Sequence, residues 1–277
     1  MTDSFYVTLP STASMDIYPD NAISHFTTRL QKPIDLDGIW EVGLCEVSLP
    51  TKWANIGEND SIRLIILEVI KDPITLHLSS RKHYVKAFLR VGFCAGPQQL
   101  IRRMNEAWNK LKLNTPSHLV AKLEPASAIF EYDEIDKIIR LTDSGPENID
   151  ISTSLALLLG VGVGKKSWEK LEKINSVIRR PLDMNVKVPH IYLYTDIVKH
   201  VPVGQTLSPL LRIIPMSTYL GNDGVEHYTK IYQKPHYLPL VRHYIEKIDI
   251  DLRNEMGEYV PFVGGKSIVK LHFKRIK

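Results

Sequence analysis

The sequence has few cysteines and no long apolar run. Only Cys45 and Cys94 occur among the 277 residues, too few for a cysteine-rich zinc site. No apolar run approaches the ~18 residues that a membrane helix needs, so we predict no membrane insertion. The first residues are neither basic nor followed by an apolar stretch, so we expect no secretory signal and synthesis in the cytosol. In that compartment both cysteines are expected to be buried thiols.

Sequence motifs for catalysis and cofactor binding are also missing. The segment GVGVGKKS at 160–167 suggests a phosphate-binding loop, but Leu159 stands where that loop requires glycine and Lys166 where it requires Ser or Thr. No histidine pair has H-E-x-x-H spacing, and there is no G-x-S-x-G nucleophile motif. We therefore predict no catalytic residue, no cofactor and no metal site.

The dominant pattern is alternation of apolar and polar residues, which indicates half-buried β-strands. It is clear in KIDIDLR (247–253) and in IVKLHFK (268–274), two segments that we expect to pair with each other as antiparallel strands. In WEVGLCEVSLP (40–50) the alternation changes phase, which predicts a β-bulge near Cys45. A hairpin is expected with its turn near 133–136.

Helical periodicity is confined to short segments. A helix is predicted over 97–113, because Leu100, Met104, Trp108 and Leu111 share one face. A second short helix is predicted over 152–159, ended by Gly160, and a partial helix over 167–174.

About a dozen short strands with one or two short helices predict an all-β, mainly antiparallel fold, a jelly-roll β-sandwich with insertions. We divide the chain into an N-terminal β segment (1–164) that holds the helix near 97–113, an exposed connection (165–188) and a C-terminal β segment (189–277) that completes the same jelly roll. A sandwich with a second small β region is the alternative.

Surface composition indicates protein contacts rather than nucleic-acid recognition. The formal net charge is +4, and the basic residues are spread along the chain instead of forming a dense stripe. Tyrosine is favoured at protein interfaces because it is large, rigid and amphipathic. We predict an interface at four tyrosines of the C-terminal segment, although half of the aromatic residues could equally be core: Tyr228, Tyr232, Tyr237 and Tyr244.

Several blocks of the sequence resemble one family. They are FYVTLPSTASMDIYPDNAISHFTTRLQKPIDLDGIWEVGLCEVSLP (5–50), LLLGVG (157–162), YLYTDIVKHVPVGQTLSPLLRIIPM (192–216) and EKIDIDLRNEMGEYVPFVGGKSIVKLHFKR (246–275). Their order and character resemble the minor capsid protein of Polinton (Maverick) elements and adintovirus-like viruses, the penton-like single jelly-roll subunit.

The resemblance implies a structural virion protein without catalytic residues or cofactor. It implies a homopentamer at each five-fold vertex of an icosahedral capsid, beside a double jelly-roll major capsid protein, with non-specific contact to packaged DNA as a further option. Two other functions stay open: a jelly-roll module that binds a glycan or receptor, either viral or domesticated in a host genome, and an enzyme of unfamiliar design on a β scaffold.

Overall fold

The computed structural model describes residues 3–71, 73–74, 77–120, 123, 126–162, 167–172, 180–216 and 227–276. The strands and helices run, in chain order, as follows: β1 (Ser4–Pro10), β2 (His25–Asp35), β3 (Trp40–Pro50), β4 (Ser61–Lys71), β5 (Leu78–Phe88), α1 (Pro97–Leu113), α2 (Ser117–Val120), β6 (Phe130–Asp133), β7 (Ile138–Leu141), β8 (Asn148–Ser152), α3 (Thr153–Leu158), β9 (Trp168–Glu172), β10 (His190–Thr195), β11 (Val201–Val203), β12 (Thr206–Ser208), β13 (Leu210–Pro215), β14 (His227–Ile231), β15 (Tyr237–Pro239), β16 (Tyr244–Arg253) and β17 (Ile268–Arg275).

The chain forms two compact units, each with its own hydrophobic core. The jelly-roll unit consists of residues 1–53 and 188–277, and the inserted unit consists of residues 54–187. This division differs from the one predicted at 165–188. The first 53 residues supply strands whose hydrogen-bonding partners lie at the end of the chain, so the break after residue 53 has no marker in local composition.

The jelly-roll unit contains two antiparallel sheets. The first has the strand order β1-β17-β3-β14, with β15 also paired to β3, and the second has the order β13-β10-β16-β2. Counting only these eight principal strands along the chain, the sheets read 1-8-3-6 and 5-4-7-2. Early strands thus alternate with late ones in both sheets, which is the wrapping of a jelly roll. The predicted mainly antiparallel jelly-roll fold is confirmed.

The expected pairing of the two C-terminal strands is wrong. β16 pairs with β10 and β2 in the second sheet, whereas β17 pairs with β1 and β3 in the first. Alternation assigns each side chain to a face but does not identify the neighbouring strand. Except for β10 and β13, consecutive principal strands of this jelly roll lie in different sheets, so β16 and β17 are separated although they are close in sequence.

The predicted β-bulge is confirmed at Cys45. Lys270 of β17 lies opposite Glu46, but the next residue, Leu271, lies opposite Leu44, so Cys45 is the extra residue of β3. Its thiol donates to the carbonyl oxygen of Lys270 at 3.2 Å. Cys45 is partly buried and Cys94 is buried, and both are free thiols.

The inserted unit combines a four-stranded sheet of order β5-β4-β8-β9 with the hairpin β6-β7, as predicted near 133–136. Helix α1 matches the predicted span 97–113 and buries the expected apolar stripe. The second predicted helix is present as α3, and Gly160 follows it with a φ of 67°. Among the described residues, no helix is both long and apolar enough to cross a membrane.

The partial helix predicted over 167–174 is wrong where the structure describes it. Residues Trp168–Glu172 form strand β9, which pairs antiparallel with β8 from Asn148 to Ser152. Pairing with β8 gives this segment backbone hydrogen bonds in a sheet, and this tertiary contact outweighs its local helical propensity. Residues 173–174 and the lysines of the GVGVGKKS segment lie outside the described residues.

Candidate functional site

The structure places the four predicted interface tyrosines in different environments. Tyr228 is buried in the core of the jelly-roll unit, with 2% exposure, and Tyr232 packs against the same core with the guanidinium of Arg212 4.3 Å from its ring centre. Tyr237 is half-buried, and Tyr244 is 53% exposed at the start of β16. Burial makes Tyr228 part of the packing of the jelly-roll unit itself, so Tyr237 and Tyr244 are the stronger candidates for contact with a partner.

Tyr237 belongs to a row of residues that crosses the outer face of the first sheet. Tyr6 on β1 lies opposite His272 on β17, and His272 lies opposite Gly43 on β3. Gly43 in turn lies opposite Tyr237 on β15. Directly opposed residues project from the same face of a sheet, so Tyr6, His272 and Tyr237 form one continuous aromatic row.

The three rings of the aromatic row are in contact. Tyr6 stacks on His272 with 4.5 Å between ring centres and 20° between ring planes. Tyr237 meets the same imidazole edge-on at 5.8 Å. Its phenolic oxygen lies 2.7 Å from Nδ1 of His272. His272 is therefore held between two tyrosines from opposite sides.

Gly43 makes room for this arrangement. A Cβ atom at position 43 would lie 2.9 Å from the carbonyl oxygen of His236, 2.9 Å from Cβ of Pro235 and 3.2 Å from Cδ1 of Tyr237. A side chain there would push away the segment that carries Tyr237. The close approach of β15 to β3 therefore depends on glycine.

Lysines flank the aromatic row. The Lys270 amine lies 5.5 Å from the ring centre of Tyr6 and 3.5 Å from a carboxylate oxygen of Glu46. The Lys274 amine lies 5.3 Å from the ring centre of Tyr237. Aromatic contacts with a charged border resemble the composition of protein interfaces, where a desolvated centre is surrounded by a polar rim.

The protonation of the aromatic row follows from its burial. Partial burial raises the pKa of Tyr237, and the nearby Glu41 carboxylate and Tyr6 add to the effect. Burial also lowers the pKa of His272, and the Lys274 charge acts in the same direction. At neutral pH the phenol is therefore protonated and the imidazole is neutral, so the hydrogen bond between Tyr237 and His272 joins two uncharged groups.

Sequence reasoning identified Tyr237 but missed Tyr6 and His272. The alternation of β17 already assigned His272 to the face opposite Leu271 and Phe273, and that was the available signal. It could not show that β1 and β15 would bring tyrosines to the same row.

The inserted unit has a second exposed apolar surface, on the hairpin β4–β5. Alternate residues of the two strands project from one face, where Ile65 lies opposite Tyr84. We call this surface the apolar arm face, and it consists of Ile65, Leu67, Val69, Tyr84 and Phe88, which are 38–64% exposed. Contiguous exposed apolar residues of this kind often mark protein interaction sites.

Comparisons with known proteins show similarity of fold. No family model matches the sequence, and no curated protein matches it at a significant level. Among solved structures, the crystal structure of the selenomethionine-labelled mavirus penton protein aligns over 99% of this chain and 100% of its own, with a TM-score of 0.52 and 11% sequence identity. A chain of the Sputnik virophage, determined by cryo-electron microscopy, aligns over 99% of this chain and 98% of its own, with a TM-score of 0.48 and 12% identity. The chain therefore has the fold of the mavirus penton protein along its whole length.

Proposed function

We propose that this protein is a penton-like minor capsid subunit, a structural virion protein that forms homopentamers at the five-fold vertices of an icosahedral capsid. The observation that carries the proposal is the full-length similarity of fold to the mavirus penton protein, which includes the inserted unit as well as the jelly roll. In this role the protein would also contact a double jelly-roll major capsid protein and would be located in the virion.

A ring of five copies needs a heterologous interface, in which one surface of each copy meets a different surface of the next. The jelly-roll unit offers two such surfaces. The first sheet presents the aromatic row with Lys270 and Lys274 beside it. The outer face of the second sheet carries the carboxylates of Asp249 and Asp251 on β16, each also paired to a basic neighbour within the unit. We propose that the aromatic row of one copy packs against the second sheet of the adjacent copy.

The proposal can be tested with two exposed tyrosines of nearly equal exposure. Tyr6 is 60% exposed in the aromatic row, and Tyr84 is 59% exposed in the apolar arm face. The mass of the wild type and of the variants Tyr6→Ser and Tyr84→Ser is measured by light scattering over a range of concentrations. We expect a pentamer for the wild type, an association constant lower by about tenfold or more for Tyr6→Ser, and little change for Tyr84→Ser.

Each other outcome has a defined meaning. Loss of assembly in Tyr84→Ser but not in Tyr6→Ser would assign the contact to the apolar arm face and overturn the aromatic-row interface. A wild type that stays monomeric, both alone and when mixed with a double jelly-roll major capsid protein, would contradict the capsid role. Contact with packaged DNA predicts retention of the assembled protein on DNA that weakens steeply as salt is added.

A further inference from the structure

Three side chains that commonly bind metals converge in the inserted unit. Glu68 lies on β4, His83 on β5 and His118 on the short helix α2. In the β4–β5 register His83 is opposite Ile66, the residue two before Glu68, so Glu68 and His83 are diagonal neighbours on one face. One ligand atom from each of the three residues lies within 4.8 Å of the other two.

Both imidazoles point at the same carboxylate. Nε2 of His83 lies 2.8 Å from Oε2 of Glu68, and Nε2 of His118 lies 3.8 Å from Oε1. The two imidazole rings are nearly perpendicular, with 6.1 Å between their centres. Around a tetrahedral ion with metal–ligand bonds of about 2.0–2.2 Å, neighbouring ligand atoms lie about 3.3–3.6 Å apart. The two imidazole–carboxylate separations, 2.8 Å and 3.8 Å to different oxygens of Glu68, lie on either side of that range, and binding of an ion requires the side chains to adjust toward it.

We propose that Glu68, His83 and His118 bind a divalent transition-metal ion, for which Zn²⁺ is the best match. Two imidazoles and one carboxylate suit zinc and its neighbours, whereas Ca²⁺ and Mg²⁺ prefer sites made of oxygen ligands. Three protein ligands leave a fourth position for water. The side chains of Glu68, His83 and His118 are 26%, 20% and 57% exposed, so the ion can enter from solvent.

The ion would link α2 to the β4–β5 hairpin and so stabilise the inserted unit. The proposal concerns a site separate from the aromatic row and does not depend on the capsid role. Sequence spacing gave no indication of it, because the three ligands come from three elements and none forms a compact motif.

The test is a titration of the full chain with Zn²⁺, in which binding is measured by calorimetry and by competition with a chromophoric chelator. The variant His118→Ala removes the most exposed ligand. His190→Ala is the matched control, because His190 forms a pair with Glu255 at 2.7 Å and its side chain is 42% exposed, against 57% for that of His118. We expect one equivalent of Zn²⁺ for the wild type and for His190→Ala, and an affinity lower by about 10- to 100-fold or more for His118→Ala.

A melting measurement keeps the proposal testable if one variant folds poorly. Zn²⁺ should raise the melting temperature of the wild type but not that of Glu68→Gln, whose metal-free melting temperature reports its folding. Equal affinities of His118→Ala and His190→Ala, or no saturable one-to-one binding by the wild type, would overturn the proposal.

Discussion

Tyr237 and His272 are joined by a hydrogen bond of 2.7 Å although β3 lies between the strands that carry them. The bond passes over Gly43, the residue of β3 that has no side chain to block it. It ties the short strand β15, at one side of β3, to the last long strand of the jelly roll. The aromatic row is therefore held together by a specific hydrogen bond between two strands of the sheet.

Removal of the Tyr237 hydroxyl should destabilise the jelly-roll unit modestly. Tyr237→Phe keeps the ring but removes the hydrogen-bond partner of Nδ1 of His272, so we expect the free energy of unfolding to fall by about 1 kcal/mol. Tyr244→Phe is the control, because that hydroxyl makes an exposed 3.2 Å bond to Glu246 and its loss should cost clearly less. Urea denaturation measures both, and equal effects would contradict the structural importance of the Tyr237–His272 bond.

Addition of a side chain at Gly43 should displace β15. In Gly43→Ala the new Cβ would meet backbone and ring atoms of Pro235 and His236 at 2.9 Å, so we expect a loss of about 1–3 kcal/mol in unfolding free energy. Gly162→Ala is a suitable control, because a Cβ there has nothing within 4 Å. If Gly43→Ala is as stable as Gly162→Ala, the close packing of β15 on β3 is not needed for stability.

His272 should make the protein less stable at mildly acidic pH. Its pKa is lowered in the folded state by burial and by Lys274. At mildly acidic pH the unfolded chain therefore binds more protons at this imidazole than the folded chain does. Stability is then unaffected above the unfolded pKa of about 6.5 and falls as the pH drops from there through the folded pKa.

The variant His272→Asn isolates this contribution. Asparagine offers an oxygen near the position of Nδ1 and does not titrate in this range, so the fall in unfolding free energy between about pH 7 and pH 5 should be smaller in the variant. Denaturation curves at each pH give the comparison. An unchanged pH dependence in His272→Asn would show that other groups cause the acid sensitivity.

Asp60 should be among the residues on which the inserted unit depends most. It is fully buried, and its Oδ2 atom accepts from the Lys187 amine at 2.7 Å and from the backbone N–H of Gly57 at 2.7 Å. The hydroxyl of Ser154 donates to its other oxygen. Because Asp60 is near the first residue of the unit and Lys187 is its last, this ion pair joins the two ends of the inserted segment.

Replacement of Asp60 by alanine leaves the Lys187 amine and the backbone donor without their acceptor, and we expect a loss of about 3–5 kcal/mol. Glu106→Ala provides the comparison, since Glu106 makes an exposed pair with Arg102 at 3.9 Å and should contribute less than about 0.5 kcal/mol. Chemical denaturation followed by tryptophan fluorescence reports both variants, and a mild effect of Asp60→Ala would show that water can replace its partners.

Local regularities in the sequence determined the class of fold and much of its secondary structure. Alternation with period two assigned Phe273 to the core and His272 to the outer face, and the change of phase in β3 located the bulge at Cys45. The spacing of apolar residues from Leu100 to Leu111 placed helix α1. These features depend on neighbours a few residues apart, so the order of residues contains them directly.

Only the tertiary structure decided which strands pair and which distant side chains meet. It separated β16 from β17, turned Trp168–Glu172 into a strand, and set the inserted unit apart after residue 53. It also brought Tyr6 to His272 across the whole length of the chain and gathered Glu68, His83 and His118 from three elements. Backbone hydrogen bonding and side-chain periodicity are the same for any partner strand, so the choice of partner depends on how the complete chain wraps around its cores.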